Sequence, residues 1–305
     1  MLAACAAVLA GCSSAGASPP VTSGPATSSA SSSDALIDGM VDIGSQRQIR
    51  VTCAGWDNPG PTVVLISDAQ QAGDSWQAVR KQGAATTGSL SLEPSADSVF
   101  STVAAFAPVC TYDRPGTKRL DESTTPSTKV QQPTTAQQDV DDLEAWLKTS
   151  NPASPYVLVG HGWGGMIATL FAATYPTQTA GVVLVDPASA YLEDHLTPAQ
   201  WTAFLNASNA LVDGTQNEAP NYRDSVGGVR VAQVGAIPVV VLSADTAFDI
   251  GLGLDAWPAW QAAADSLAKS IRSTHITATS SGHAIPQDNP AVVTTAIKDV
   301  VDQAR

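Results

Sequence analysis

The sequence predicts an α/β fold, a mostly parallel sheet covered by helices on both faces. Three observations predict it. Continuous apolar runs such as Pro61–Ile66 and Gly181–Val185 read as strands buried on both faces, and they alternate with stretches of helical periodicity. The run Tyr156–Gly165 reads as a buried strand and a sharp glycine turn, with a helix beginning at Met166-Ile167-Ala168. Apolar residues make up 44% of 305, enough for a sizeable core, and no internal repeat interrupts the alternation.

The first 33 residues stand apart from that pattern. Met1–Ala10 is almost wholly apolar and leads into Leu9-Ala10-Gly11-Cys12. A run this short cannot span a bilayer, which needs roughly 20 residues, but it suits the core of a signal peptide. Small residues before a cysteine resemble the lipobox of bacterial lipoproteins, which implies lipidation at Cys12 and an anchor on the outer face of the cell membrane. No Lys or Arg precedes the apolar run, which leaves a start upstream of Met1 open. Residues 13–33 are rich in Ser, Ala, Pro, Thr and Gly without charge, the composition of a flexible tether. The domain is expected over 34–305.

Along that domain, Ala35–Ile43 and Arg47–Cys53 read as two strands around a Gly44-Ser45 turn. Pro61–Ile66 is followed by a loop, Ser67–Asp74, and a helix expected from Ser75. A second helical stretch covers Ala96–Ala107. The strand Val109–Tyr112 ends in Asp113-Arg114-Pro115-Gly116, and Lys118–Thr134 is a polar loop. Val140, Leu143 and Leu147 recur at helical spacing within Thr135–Lys148. After the Tyr156 strand and its helix, which stops at Pro176, come strands Gly181–Val185 (ending at Asp186), Ile237–Leu242 and His275–Thr279. Ser280-Ser281-Gly282-His283 and a closing helix from Pro290 complete the chain. Pro187–Ala236 has no core strand. It carries an amphipathic helix from a Thr197 cap and a first-turn Pro198 to Leu211, and an insertion there would lie over the strand ends as a lid.

Five motifs in this order resemble the α/β-hydrolase superfamily over about 37–305. They are Tyr112–Gly116, the glycine turn, Leu184-Val185-Asp186, Gly282-His283 and the strand order itself; the turn is most similar to the lidded esterase and lipase branch. The resemblance implies an eight-stranded sheet with helices on both faces and a helical lid at about 187–236. In that fold the strands of Cys53 and Cys110 are neighbours, which implies a Cys53–Cys110 disulfide in an oxidising compartment. Gly160 and Gly164 match the nucleophile-elbow signature Gly-x-Ser-x-Gly, but its serine position is Gly162.

The resemblance also assigns roles. His283 matches the catalytic histidine. Its acid partner is expected at Asp245, with Asp249 and Asp186 as alternatives, since aspartates at strand ends also simply cap turns. His161 is the variable residue of the elbow, His195 falls in the lid and His275 starts a strand. The oxyanion donors would be Trp163 N–H and an amide of the loop after Ile66. That loop reads Ser67-Asp68-Ala69-Gln70-Gln71 where the family has glycines. An ionised Asp68 would oppose a developing oxyanion unless it faced solvent.

Removing a triad serine leaves about 10³–10⁴-fold catalysis over water. Gly162 and Asp68 together therefore point to a catalytically impaired, ligand-binding hydrolase relative. One alternative is an active ester hydrolase in which His283 and an aspartate activate a water lodged in the space left by Gly162. Another is an esterase with an isolated loss of its nucleophile. The expected partner is a small apolar or ester-like ligand. Net charge −13 argues against nucleic acid. No metal or other cofactor is expected, because there is no cysteine–histidine metal spacing and no P-loop lysine.

Overall fold

The computed structural model describes residues 37–83, 91–150, 152, 154–209, 217–278 and 281–305. The leader, the tether, Cys12, Leu211, Thr279 and Ser280 lie outside the described residues. Among the described residues no helix is long and apolar enough to cross a membrane.

β1 (Ile37–Gly44) and β2 (Arg47–Ala54) pair antiparallel. Ser45 and Gln46 between them have φ of 52° and 59°, the sign that tight hairpin turns require. β3 (Val63–Ile66) is buried throughout. The helix expected from Ser75 is a 3-10 turn, Gly73–Gln77, running into β4 (Ala78–Arg80), which pairs with β5 (Leu92–Pro94) in a separate ribbon. Tertiary contacts override the local pattern there: Trp76 is buried, Gly73 N–H donates to Asp113, and Arg80 pairs with Asp288. α1 (Val99–Ala104) is shorter than expected at both ends; the Ser98 cap sets its start.

β6 (Val109–Asp113), α2 (Ala136–Ser150), β7 (Tyr156–His161), α3 (Trp163–Thr174) and β8 (Thr179–Val185) follow as the pattern predicts. The lid interval holds α4 (Leu192–His195), α5 (Pro198–Asn209) and α6 (Tyr222–Arg230). At the start of α5, Thr197 Oγ1 accepts from Gln200 N–H while Gln200 Oε1 accepts from Thr197 N–H, a reciprocal capping box. β9 (Val239–Ala244), α7 (Trp257–Ser270), β10 (Thr274–Ala278), α8 (Ile285–Asp288) and α9 (Pro290–Gln303) close the domain.

The main sheet has eight strands in the order β1-β2-β6-β3-β7-β8-β9-β10, parallel from β6 onward. Strand residues alternate between two cores. Val63, Leu65, Val157 and Val159 pack with α1 and α9 on one face. Val64, Ile66 and Leu158 pack with α2, α3, α7 and helices α4, α5 and α6 on the other. Cys53 and Cys110 sit opposite each other across β2 and β6 and form the expected disulfide, with Cα atoms 4.1 Å apart. The ends of β3, β6, β7, β8, β9 and β10 open on one edge of the sheet, where ligands of open α/β sheets bind.

Candidate active site

At the end of β7 the backbone turns sharply into α3. Gly162 sits at the apex with φ 50° and ψ −117°, a left-handed conformation that disfavours any side chain. A Cβ on Gly164 would lie 2.3 Å from Ile66 O, so only glycine lets α3 approach β3 this closely. The elbow geometry expected from the sequence is therefore intact.

The space above Gly162 is filled, not open to a water. A Cβ built on Gly162 would meet Asp68 Oδ1 at 1.8 Å, Cγ at 2.2 Å and Oδ2 at 2.9 Å. The carboxylate of Asp68 thus stands where a serine side chain would stand. Its Oδ1 accepts from Trp163 N–H at 2.8 Å, and its Oδ2 is 2.9 Å from His283 Nε2. The alternative in which Asp68 faces solvent is not what the structure shows; its side chain is 15% exposed.

His283 Nδ1 is 2.6 Å from Asp186 Oδ2. Asp186 is fully buried at the end of β8, where Oδ1 accepts from Ala244 N–H and Oδ2 from Trp260 Nε1–H. The partner of His283 is therefore Asp186 and not Asp245. Asp245 Oδ1 accepts from Ser281 N–H, tying the loop after β9 to the His283 loop, and Asp249 Oδ1 caps the amides of Gly251, Leu252 and Gly253. Asp186, given third place from the sequence, wins because the ends of β8 and β9 are adjacent and Ala244 N–H fixes its carboxylate towards His283.

The result is a line of charges, Asp68–His283–Asp186. Burial disfavours the His283 imidazolium, but the charge of Asp68 and the hydrogen bonds to both carboxylates outweigh it and push its pKa up to about 10. Burial likewise opposes ionisation of Asp68. The charge and hydrogen bond of His283, with His161 and Trp163 N–H, reverse that and hold the carboxyl well below the usual range. His161 donates from Nε2 to the His283 carbonyl oxygen at 2.8 Å and so props the His283 loop; burial, then the neighbouring charge of His283, lower its pKa. Asp68, His161 and His283 have ligand-type atoms within 4.8 Å of one another. His161 Nε2 and His283 Nε2 are already hydrogen-bonded, so a cation would have to displace those bonds. His195 bonds Ser266, and His275 lies between Ser243 and Asp265, both apart from this group.

Two residues that sequence reasoning left without a role hold Asp68 in place. Arg114 donates from Nη1 to Ser67 O at 2.9 Å and from Nη2 to Asp68 O at 2.7 Å. It also pairs through Nε with Glu218 Oε1 at 2.6 Å, and both side chains are 1% exposed. Glu218 Oε2 accepts from Gln70 N–H, which stabilises the left-handed Gln70 at φ 62°. Asp113 accepts from Gly73 N–H, so Asp113 and Arg114 fix the two ends of the loop that carries Asp68. Close by, Trp163 Nε1–H donates to buried Asp139, whose pKa is pushed up to about 7 by burial and by the charge of Glu218, against Arg114 and the Trp163 hydrogen bond. The walls are aromatic: the ring centroids of Phe248 and Trp260 are 4.9 and 5.7 Å from that of His283, and Tyr222 is 4.9 Å from Trp163.

Comparisons with known proteins agree with this architecture. A family model described as the alpha/beta hydrolase fold matches residues 94–232. The uncharacterised protein YqjL of Bacillus subtilis (strain 168) is 29% identical over 194 residues, 63% of this chain and 72% of that protein. A solved N-acyl homoserine lactone degrading enzyme superposes with a TM-score of 0.59 at 16% identity, covering 86% of this chain and 100% of its own. The thioesterase domain from the curacin biosynthetic pathway gives 0.57 at 15% identity, covering 87% of this chain and 99% of its own. Strand order, elbow and comparisons converge: the chain has the α/β-hydrolase fold.

Proposed function

We propose that the protein is a hydrolase that works without a seryl acyl-enzyme, at the centre formed by Asp68, His283 and Asp186. One observation carries this reading: His283 is bridged to Asp186 on one side and faces, on the other, a carboxylate in the place of the missing serine. A histidine oriented by a buried acid is the proton-transfer half of hydrolytic chemistry. Gly162 itself contributes no reacting atom, so the impairment applies to serine chemistry. The aromatic walls suit a small apolar substrate.

The reading extends to location. The leader ending at Cys12 and the tether suit a lipid-anchored protein on the outer face of a bacterial membrane, and the Cys53–Cys110 bond suits an oxidising compartment.

The test is turnover by the full chain, and by a His283→Ala variant, across hexanoate esters, hexyl halides and 1,2-epoxyhexane. Hydrolysis of any of these that disappears with His283→Ala supports the reading. If the native protein turns over none of them yet binds a substrate analogue, the centre is a ligand-binding site and the hydrolase reading fails.

A further inference from the structure

We propose that Asp68 is the nucleophile, moved from the elbow to the loop after β3, and that it attacks a saturated carbon bearing a leaving group. This rests on the hydrolase reading above and names its first chemical step.

Geometry assigns different work to the two oxygens of Asp68. Oδ1 is held on Trp163 N–H at 2.8 Å, at the N-terminus of α3, where partial positive charge gathers. Oδ2 faces His283 Nε2 at 2.9 Å, and the Asp68 side chain keeps 15% of its surface exposed. Such a carboxylate is ionised at rest and needs no base to become nucleophilic, unlike a serine hydroxyl. The imidazolium of His283 is therefore no obstacle to the first step, although it would disable a seryl mechanism.

The same contact selects the substrate. Attack on an ester carbonyl builds negative charge on the substrate oxygen, which needs a donor. Trp163 N–H is the elbow's donor, and Asp68 already occupies it. In the loop after β3, Gln70 N–H donates to Glu218 and Gln71 N–H to the Asp68 carbonyl. Attack on a saturated carbon builds its charge on the leaving group instead and asks nothing of this hole.

The steps balance as follows. Oδ2 forms a bond to carbon, and the carbon–leaving-group bond breaks with its electron pair. From an alkyl halide the pair departs as halide, and His283 later releases its proton to solvent. From an epoxide the pair remains on the ring oxygen, which takes up the proton that His283 gives up. In both cases the charge of Asp68 disappears on ester formation. His283 then keeps only one of its two carboxylate neighbours and becomes able to act as a base. It takes a proton from a water that attacks Cγ of Asp68. The oxyanion that forms is Oδ1, already held by Trp163 N–H. Collapse breaks the Cγ–Oδ2 bond, and His283 returns the proton to the departing alcohol oxygen. The product carries the original Oδ2; Asp68 keeps the oxygen from water, and its carboxyl proton passes to the neutral His283, which restores the resting ion pair.

That exchange of oxygen is the test. The full chain in molar excess is mixed with 1,2-epoxyhexane or 1-bromohexane in H₂¹⁸O, and the Asp68 peptide is examined by mass spectrometry. The expected result is one ¹⁸O in the Asp68 side chain after a single turnover, with unlabelled oxygen delivered to the product. A His283→Gln variant mixed with 1-bromohexane, whose first step needs no proton from His283, is expected to stop there and gain the mass of the hexyl group at Asp68. p-Nitrophenyl hexanoate is expected to turn over at least about 100-fold more slowly than the epoxide. Label in the product with none in Asp68 would overturn the nucleophile while leaving a His283-activated water, and hence the hydrolase reading, intact. Turnover of the nitrophenyl ester alone would overturn the substrate class in the same way. No turnover of any probe would sink both.

Discussion

Replacing Asp68 by asparagine preserves its shape and removes its charge, so it isolates the electrostatics of the centre. His283 Nε2 is 2.9 Å from Asp68 Oδ2. Two unit charges about 4 Å apart at an effective dielectric of about 20 interact by about 4 kcal/mol. At about 1.4 kcal/mol per pKa unit that amounts to about three units. His283 is 27% exposed, and solvent screening reduces the expectation to about two units. The native imidazolium, pushed up to about 10, should therefore titrate about two units lower in Asp68→Asn. The assay is an NMR titration of the ring signals of the full chain, with the other three histidines as internal references. A shift under about half a unit would refute the placement of an ionised carboxylate beside Nε2. The sign carries over to stability. Because the folded pKa of His283 is raised above 6.5, its contribution is complete below pH 6.5 and is lost as pH rises through about 10. Because the folded pKa of Asp68 is depressed, its contribution is present above 3.8 and is lost as pH falls below it. The stability gap between native protein and variant should accordingly be widest between those limits.

Three further outcomes are expected. Gly162→Ala should cost about 2–3 kcal/mol, since a Cβ there meets Asp68 Oδ1 at 1.8 Å. Adding Asp68→Ala should recover at least about 1 kcal/mol of that cost, and strictly additive urea midpoints would show that the two side chains do not compete for one space. Glu218→Ala leaves Arg114 buried without its partner and should cost about 3–5 kcal/mol. A shift in urea midpoint equivalent to less than about 1 kcal/mol would mean the pair is hydrated in solution. Cys110→Ser opens a link between residues 57 apart, for which chain entropy gives about 4 kcal/mol. Thermal melting of oxidised native protein against the variant measures it, and equal Tm values would place the stabilisation elsewhere.

The sheet was legible because its strands carry their own signal. Val63–Ile66, Tyr156–His161 and Val239–Ala244 are apolar on both faces, and burial on both faces is what they show. His283 was legible by its place after the last strand. The helix expected from Ser75 was not borne out, because Asp113 and Asp288 hold that segment from distant parts of the chain. Asp186 ranked below Asp245 because nothing local distinguishes one strand-end aspartate from another. Asp68 was the hardest to read. A loop aspartate faces solvent by default, and its actual direction is set by Arg114 and Glu218, far along the sequence, gripping the backbone on either side of it. Gly162 announced a missing serine, yet no sequence pattern could announce that the vacancy is filled from the loop after β3.

Asp186 lies over the middle of the sheet, locked by the amide of Ala244 and the indole of Trp260. The loop after β9 is thereby relieved of carrying the acid. It contributes Phe248 against the His283 ring and is otherwise fastened at its ends, by Asp245 to Ser281 and by Asp249 to its own amides. Thr246 N–H adds a further bond to Ser281 O, so within this stretch Phe248 is the side chain that rests on the imidazole. On the proposed reading, the exposed side chains of Thr246 and Ala247 are where a substrate preference could be rewritten while Phe248, His283 and Asp186 stay as they are.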